Sequence, residues 1–301
     1  MSSSVTLPAN AIPARTVKTR RITFEYPEEN LSRHFIDDDI AMSHIVSTLS
    51  AVFPEGEDFF VNSVRNYRDR ITDPELKRQV AGFIGQEAMH SREHERFNER
   101  LAELGYPTLL IHRAVGIGLG IGRKVLPKSV QLAITAALEH YTSTLAEVLL
   151  ADPQARGMMD GEVQSLFLWH ALEESEHKTV AFDVYEQVCG NHFIRATTMR
   201  LVTIGFVGGI GLAALCSMLF TDPGARRLGD LRRSLARLKT SPWLTRKVAK
   251  DLQAYNRKGF HPDDHDNTAL MEEWRAKLFA AREGTLTSRL AGSVESEATA
   301  S

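Results

Sequence analysis

The sequence predicts an all-α protein, a bundle of long helices with a C-terminal helical extension. Three observations carry that prediction. Apolar residues recur at helical spacing over long stretches, capping and stop residues punctuate them, and no stretch alternates Val, Ile and Thr with period two as a strand would. No repeat of fixed period is visible. A chain of 301 residues that is 43 % hydrophobic and 25 % charged can bury a sizeable core, and its composition is not that of a disordered polymer. With 36 basic against 38 acidic side chains, no charge excess draws it to nucleic acid. Cys189 and Cys216 are too few for a disulfide framework or a thiolate zinc site, so any site has to be built from His, Asp and Glu.

The elements follow in order. Residues 1–30 read as a disordered basic arm; Ser, Ala, Pro and basic residues dominate to Arg21 without the apolar run of a secretory signal, so the cytoplasm is the expected compartment. Asp37, Asp38 and Asp39 cap a helix that reaches Val52. Pro54 suits the first position of a second helix, through Phe59, Phe60 and Val64 to about Arg70. Thr72 and Glu75 have capping-box spacing around Pro74, and the helix they open closes near Leu104 at Gly105, with Pro107 beyond. Val115 to Gly122 alternates Gly with Ile, Leu and Val. No strand precedes it, so it reads as a flexible connection lining substrate access rather than a dinucleotide loop. Further helices run from Pro127 to Leu150, where Asp152-Pro153 ends them, and from Gly161 to Val188, with Gly190 as the stop. Residues 31–190 thus form the bundle.

Residues 191–222 form a long apolar helix. Leu201 to Phe220 holds no charge and is long enough to cross a bilayer, with Gly205 and Gly209 at small-xxx-small spacing. Pro223 to Phe260 carries eleven Lys and Arg against two acids, which favours the cytoplasmic side. One crossing would separate that segment from the bundle, so the apolar helix is expected either buried against the bundle or associated with the membrane as a monotopic or re-entrant segment. The second arrangement suits anionic lipid on the inner membrane face and an apolar substrate. Residues 223–283 read as a basic helical extension and 284–301 as a disordered tail.

The chemistry lies in the polar residues of these helices. Glu87 and His90 stand three apart, on one helical face. Glu174 and His177 repeat the spacing, and His170 lies four residues before Glu174. Glu57 and Glu139 stand on the helices preceding each pair. Four carboxylates facing one another in a bundle interior cannot all ionise without cations between them, and two divalent metals completed by imidazoles resolve the conflict. Apolar flanks such as Leu166 to Trp169 before His170, and Ala136 to Leu138 before Glu139, point to burial. Glu55 is an alternative to Glu57 in the same turn. His94 shares the face of His90, as an eighth ligand, an outer donor or a solvated residue. Glu173 and Glu176 flank the ligand face, and His140 points about 100° from Glu139, toward a packing or surface role. His261, Asp263, Asp264, His265 and Asp266 include metal-binding types, although Pro262 and the acidic context suit a capped turn.

The pattern Glu, Glu-x-x-His, Glu, His-x-x-x-Glu-x-x-His resembles the ferritin-like di-iron carboxylate proteins from Asp37 to Gly190, and His170 to His177 is similar to their p-aminobenzoate N-oxygenase branch. Phe53-Pro54-Glu55-Gly56-Glu57 and Trp169 to Lys178 also resemble a bacterial group labelled predicted metal-dependent hydrolases, with likeness extending to Phe260-His261-Pro262. The resemblance implies a ferritin-like bundle. Its ligands would be Glu57, Glu87, His90, Glu139, His170, Glu174 and His177, with His94 and Glu173 as further candidates. It implies two iron ions, with Mn or Zn as alternatives, and an oxygenase or oxidase acting on O2 and a small organic substrate. An external electron donor such as a ferredoxin or flavin reductase, and a homodimer, belong to the same expectation. Two other chemistries compete: hydrolysis by a metal-bridged water, and iron binding without catalysis.

Overall fold

The computed structural model describes residues 15–27, 31–159, 161–281 and 283–291. It is an all-α helical bundle, and no strand occurs among the described residues. Helix α1 (Ile40–Arg65) starts at Asp39, whose carboxylate accepts a hydrogen bond from the Met42 amide at 3.0 Å. Asp37 and Asp38, at φ 51° and 48°, make the left-handed approach that short polar side chains tolerate. The two helices expected on either side of Val52 are one, because α1 runs through Pro54. Proline leaves the carbonyl four residues back without its helical donor. That carbonyl belongs to Ser50, and the Asn98 amide of α2 donates to it at 2.9 Å. Arg68–Arg70 forms a separate 3-10 turn.

Helix α2 (Pro74–Glu103) is capped by Asp73, which accepts from the Leu76 amide at 2.8 Å, and not by Thr72; Glu75 turns instead to Gln79 and the Arg15 amide. Gly105, at φ +89°, ends it. The glycine-rich segment is not a flexible connection but helix α3 (Thr108–Val125), laid along α1. Glycine weakens an isolated helix by about 1 kcal/mol per residue. Gly116, however, admits the Glu55 carboxyl to within 2.9 Å of where a Cβ would stand, so close packing against α1 offsets the loss. Then come α4 (Lys128–Ala151), the single turn α5 (Pro153–Arg156) and α6 (Gly161–His177). The helix expected to run unbroken to Val188 is interrupted at Lys178 and Thr179 before α7 (Val180–Val188), which Gly190 stops at φ +57°.

Helix α8 (His192–Thr221) packs one face on α1 and α4. Arg195 pins its start to the carbonyls of Tyr255 and Arg257, and Arg33 holds its end through Thr221 O at 2.7 Å. The helix is not enclosed by the bundle, since Leu201 and Ile204 on its other face are 65 % and 72 % exposed. It is long and apolar enough to cross a membrane by length and composition. Helices α9 (Leu228–Leu238), α10 (Arg246–Ala254) and α11 (Thr268–Phe279) form the extension.

Both expected disordered ends need correction where they are described. Residues 15–27 lie extended along the bundle with Val17, Ile22 and Phe24 buried, and the Phe24 amide donates to Glu93 at 2.9 Å. Gly82 makes room for this segment, for a Cβ there would stand 2.1 Å from Val17 O. Leu286 is buried and the Ala291 amide donates to Arg21 O at 2.9 Å. Residues 1–14, 28–30 and 292–301, the remainder of those two segments, lie outside the described residues.

Candidate metal centre

Four helices converge on one buried cluster. Helix α1 presents Glu57, α2 presents Glu87 and His90, α4 presents Glu139, and α6 presents His170, Glu174 and His177. The three-residue spacings put Glu87 with His90 and Glu174 with His177 on the inner faces of their helices. None of the seven is more than 4 % exposed. Their donor atoms gather in three overlapping groups, Glu57 with His90 and His170, Glu87 with His90 and Glu174, and Glu87 with Glu139 and His177, each within 4.8 Å. Glu174 lies at the middle, its Oε1 3.0 Å from His170 Nε2, 3.5 Å from His177 Nε2 and 3.7 Å from His90 Nδ1.

The decisive feature is how few of these atoms are satisfied. Both carboxylate oxygens of Glu57, Glu87 and Glu139, one of Glu174, the Nδ1 of His90 and the Nε2 of His177 are buried without a hydrogen-bond partner. His177 Nε2 comes within 3.2 Å of Glu87 and 3.3 Å of Glu139, but without hydrogen-bond alignment. A native interior leaves only a few such groups per hundred residues, and each costs about 1–3 kcal/mol or more. Here they share one space and face one another. Oxygen and imidazole donors in that arrangement fit divalent cations of the iron, manganese or zinc kind.

Electrostatics agree. Burial, then repulsion from neighbouring carboxylates such as Glu174, pushes Glu57 and Glu139 well above the usual carboxyl range; burial, then Glu139 and Glu174, does the same to Glu87. Burial also opposes ionisation of Glu174, but His177 and His170 beside it outweigh that and hold it well below the ordinary value. Burial, then the His170 ring, keeps His90 and His94 neutral, and of the two His90 keeps an unpartnered Nδ1 whose lone pair can bind a metal.

Each imidazole is held from behind. His90 Nε2 donates to Glu173 at 3.1 Å, which leaves Nδ1 facing the cluster. His177 Nδ1 donates to the Gln86 carbonyl oxygen at 3.1 Å. His170 Nδ1 meets His94 Nε2 at 2.7 Å, His94 Nδ1 meets Ser50 Oγ at 2.9 Å, and Ser50 donates to Asn98 at 2.7 Å. His94 therefore stands behind His170 rather than among the inward-facing donors, and Glu173 stands likewise behind His90. Such outer partners fix ring orientation and tautomer. Arg20 binds Glu173 and Glu176 at 2.8 Å, and Arg275 adds a second cation to Glu176 at 2.9 Å. Despite that pairing, burial raises Glu173 to about 8, with Arg20 opposing. Phe83, Trp169 and Phe53 pack their rings against His177, His90 and His170 and close the space.

The remaining candidates lie elsewhere. Glu55 is on the surface with His112 and Arg123, so Glu57 alone of that pair joins the cluster. His140 packs between Tyr255 and Phe260. His261 caps the Pro262–Asp264 turn and reaches Asp183 at 2.8 Å, while His265 turns to Glu147 at 2.6 Å, so the acidic His-Asp segment does not converge. Sequence reading missed Arg20, Arg275, Ser50 and Gln86, of which only Gln86, adjacent to Glu87, carries a local signal.

No curated protein and no solved structure matches the chain. One family model does, over residues 18–266, a span that includes Arg20 and every residue of the cluster. The chain belongs to the family described as predicted metal-dependent hydrolase.

Proposed function

We propose that the protein is a ferritin-like di-metal oxygenase or oxidase that uses O2 to oxidise a small organic substrate. The observation that carries this is the set of unpartnered oxygens and ring nitrogens sealed inside four helices. Glu57, His90 and His170 would hold one ion and Glu87, Glu139 and His177 the other, with Glu174 as a further ligand. Two Fe(II) ions held there would supply the electrons for reduction of O2, with a ferredoxin or flavin reductase restoring them. The chain's own part is to keep the imidazoles neutral and oriented through Glu173, Gln86 and His94, and to exclude bulk water with Phe53, Phe83 and Trp169. A centre so enclosed and so rich in carboxylate suits oxygen chemistry, in which side reactions with water have to be prevented.

The family's description favours a second reading, hydrolysis by a metal-activated water. Metal analysis of the purified protein, then anaerobic Fe(II) loading and exposure to O2 with optical detection, separates the two. About two irons per chain with a transient visible absorption supports the oxygenase. Tight zinc or manganese with no reaction toward O2 overturns it in favour of the hydrolase.

A further inference from the structure

The outer faces of α3 and α8 are apolar and lack negative charge. On α3, Leu110, Ile117 and Val125 are 67–69 % exposed, and on α8, Ile204, Val207 and Leu212 are 56–72 % exposed. Neither helix contains an Asp or Glu, and the exposed charges they carry are Arg113, Lys124 and Arg200. Beyond the end of α8, α9 continues the theme with Leu228, Arg232 and Leu235 on one exposed face. Between α3 and α8 runs an apolar trough of about 580 Å³, walled by Ile111 and Val115 on one side and Gly209 and Ala213 on the other, with Thr48 and Val52 of α1 at its floor. That volume lies in the range of ligand sites, roughly 300–1,000 Å³. Val52 is followed by Phe53, whose ring lies 4.8 Å from His94 and 5.0 Å from His170. The trough floor is thus one residue from the wall of the metal centre.

We propose that this face docks on an anionic lipid bilayer and that the trough takes one hydrocarbon chain from it toward the metal centre. The substrate half of this proposal, an apolar single-chain molecule, rests on the oxygenase reading; the docking half does not. An apolar face built on two helices that carry cations and no acidic residue is the composition that interfacial helices use on anionic membranes. Because Arg195 ties the start of α8 to the extension and Arg33 ties its end to the bundle, the helix lies in the interface rather than passing through it. A second copy is a poorer occupant. A two-fold contact presents the same patch from both sides, setting Arg113, Lys124 and Arg200 against like charges.

The test is sedimentation of the full metal-loaded protein with vesicles of phosphatidylcholine alone or mixed with phosphatidylglycerol. The expected result is at least tenfold stronger binding to the mixed vesicles, weakened by salt, and at least a tenfold loss in the Ile204→Glu/Leu212→Glu variant, whose metal content and circular dichroism stay unchanged. No binding to either vesicle, binding unaffected by that variant, or a dimer that it converts to monomer overturns the docking. Gly209→Leu has open space around its new side chain and narrows the trough. It is expected to weaken binding of dansyl-undecanoate at least tenfold while vesicle binding is retained, and unchanged probe binding overturns the role of the trough. Failure of iron to react with O2 while both lipid readouts hold removes the oxygenase reading and leaves the docking in place.

Discussion

Replacing Arg20 with Met tests whether the extended N-terminal segment belongs to the metal centre. Arg20 is 6 % exposed and is the only cation bonded to Glu173 among the described residues, whereas Glu176 also has Arg275. Removing one partner of a buried pair costs about 3–5 kcal/mol, because the other charge is left without compensation. Since Arg275 remains, the lower half of that range applies. At ~2.1 cal/mol/K per residue, a chain of 301 residues unfolds with an entropy of ~0.6 kcal/mol/K, so the melting temperature should fall by about 5–7 °C. Glu173 becomes harder to ionise, its grip on His90 Nε2–H loosens, and metal affinity should drop about 10–100-fold, as when other outer partners are lost. Calorimetry and competitive metal titration read the two effects. The Arg20→Met/Glu173→Gln variant removes the stranded charge and keeps an oxygen for His90, so it should lie closer to wild type than Arg20→Met alone. A single variant that melts within about 2 °C of wild type and binds metal within threefold would refute the reasoning.

Other outcomes follow from the same geometry. Glu139→Ala removes two unpartnered oxygens beside His177 and should leave about one metal per chain by mass spectrometry; full retention would show that Glu139 is not a ligand. Gln86→Leu deprives His177 Nδ1–H of its acceptor and should weaken metal binding about 10–100-fold with little change in helicity; unchanged affinity counts against it. Gly82→Ala improves helix propensity by about 1 kcal/mol yet drives a methyl into Val17 O, so the protein should melt lower, while Gly56→Ala, with open space, should melt higher; the reverse order refutes the packing of residues 15–27. The pH dependence has a definite sign. Glu57, Glu87 and Glu139 are raised, so in the metal-free protein their protons stabilise the fold below the ordinary carboxyl value of about 4.3, and that stability is lost as pH climbs toward the raised values. Metals need those carboxylates ionised, so the gain in melting temperature on loading should grow as pH rises above the ordinary carboxyl value, and a gain independent of pH would contradict it.

The inward-facing donors were legible because helical spacing is local. Glu87 with His90, and Glu174 with His177, declare a shared face within one turn, whereas Glu55 against Glu57 and the places of His94 and Glu173 needed three dimensions to decide. The residues behind them were hidden because their partners are remote: Arg20 reaches Glu173 across 153 positions, and nothing in the composition of the arm distinguishes that arginine from its neighbours. The all-α class was equally legible, whereas two helix boundaries failed for one physical reason. Proline at 54 and glycines from 116 to 122 are poor helix formers in isolation, and both segments are helical through contacts that sequence cannot see, Asn98 on the Ser50 carbonyl and Glu55 against Gly116. The ends of the chain misled in the opposite sense: their low apolar content hid the few residues, Ile22, Phe24 and Leu286, that anchor them.

The double clasp on Glu176 dictates an order of assembly. One of its arginines lies 156 residues before it and the other 99 residues after it, and Ala291 then closes on Arg21. At a synthesis rate of about 5–20 residues per second, Arg275 is made about 5–20 s later than the glutamate it binds. Throughout that interval the nascent helices can pair while Glu176 has Arg20 as its one arginine. The clasp is therefore completed only after the extension has folded back onto the bundle. A ribosome-bound fragment ending before residue 275, with Arg20 as the one arginine on Glu176, should hold metal more weakly than the released protein does.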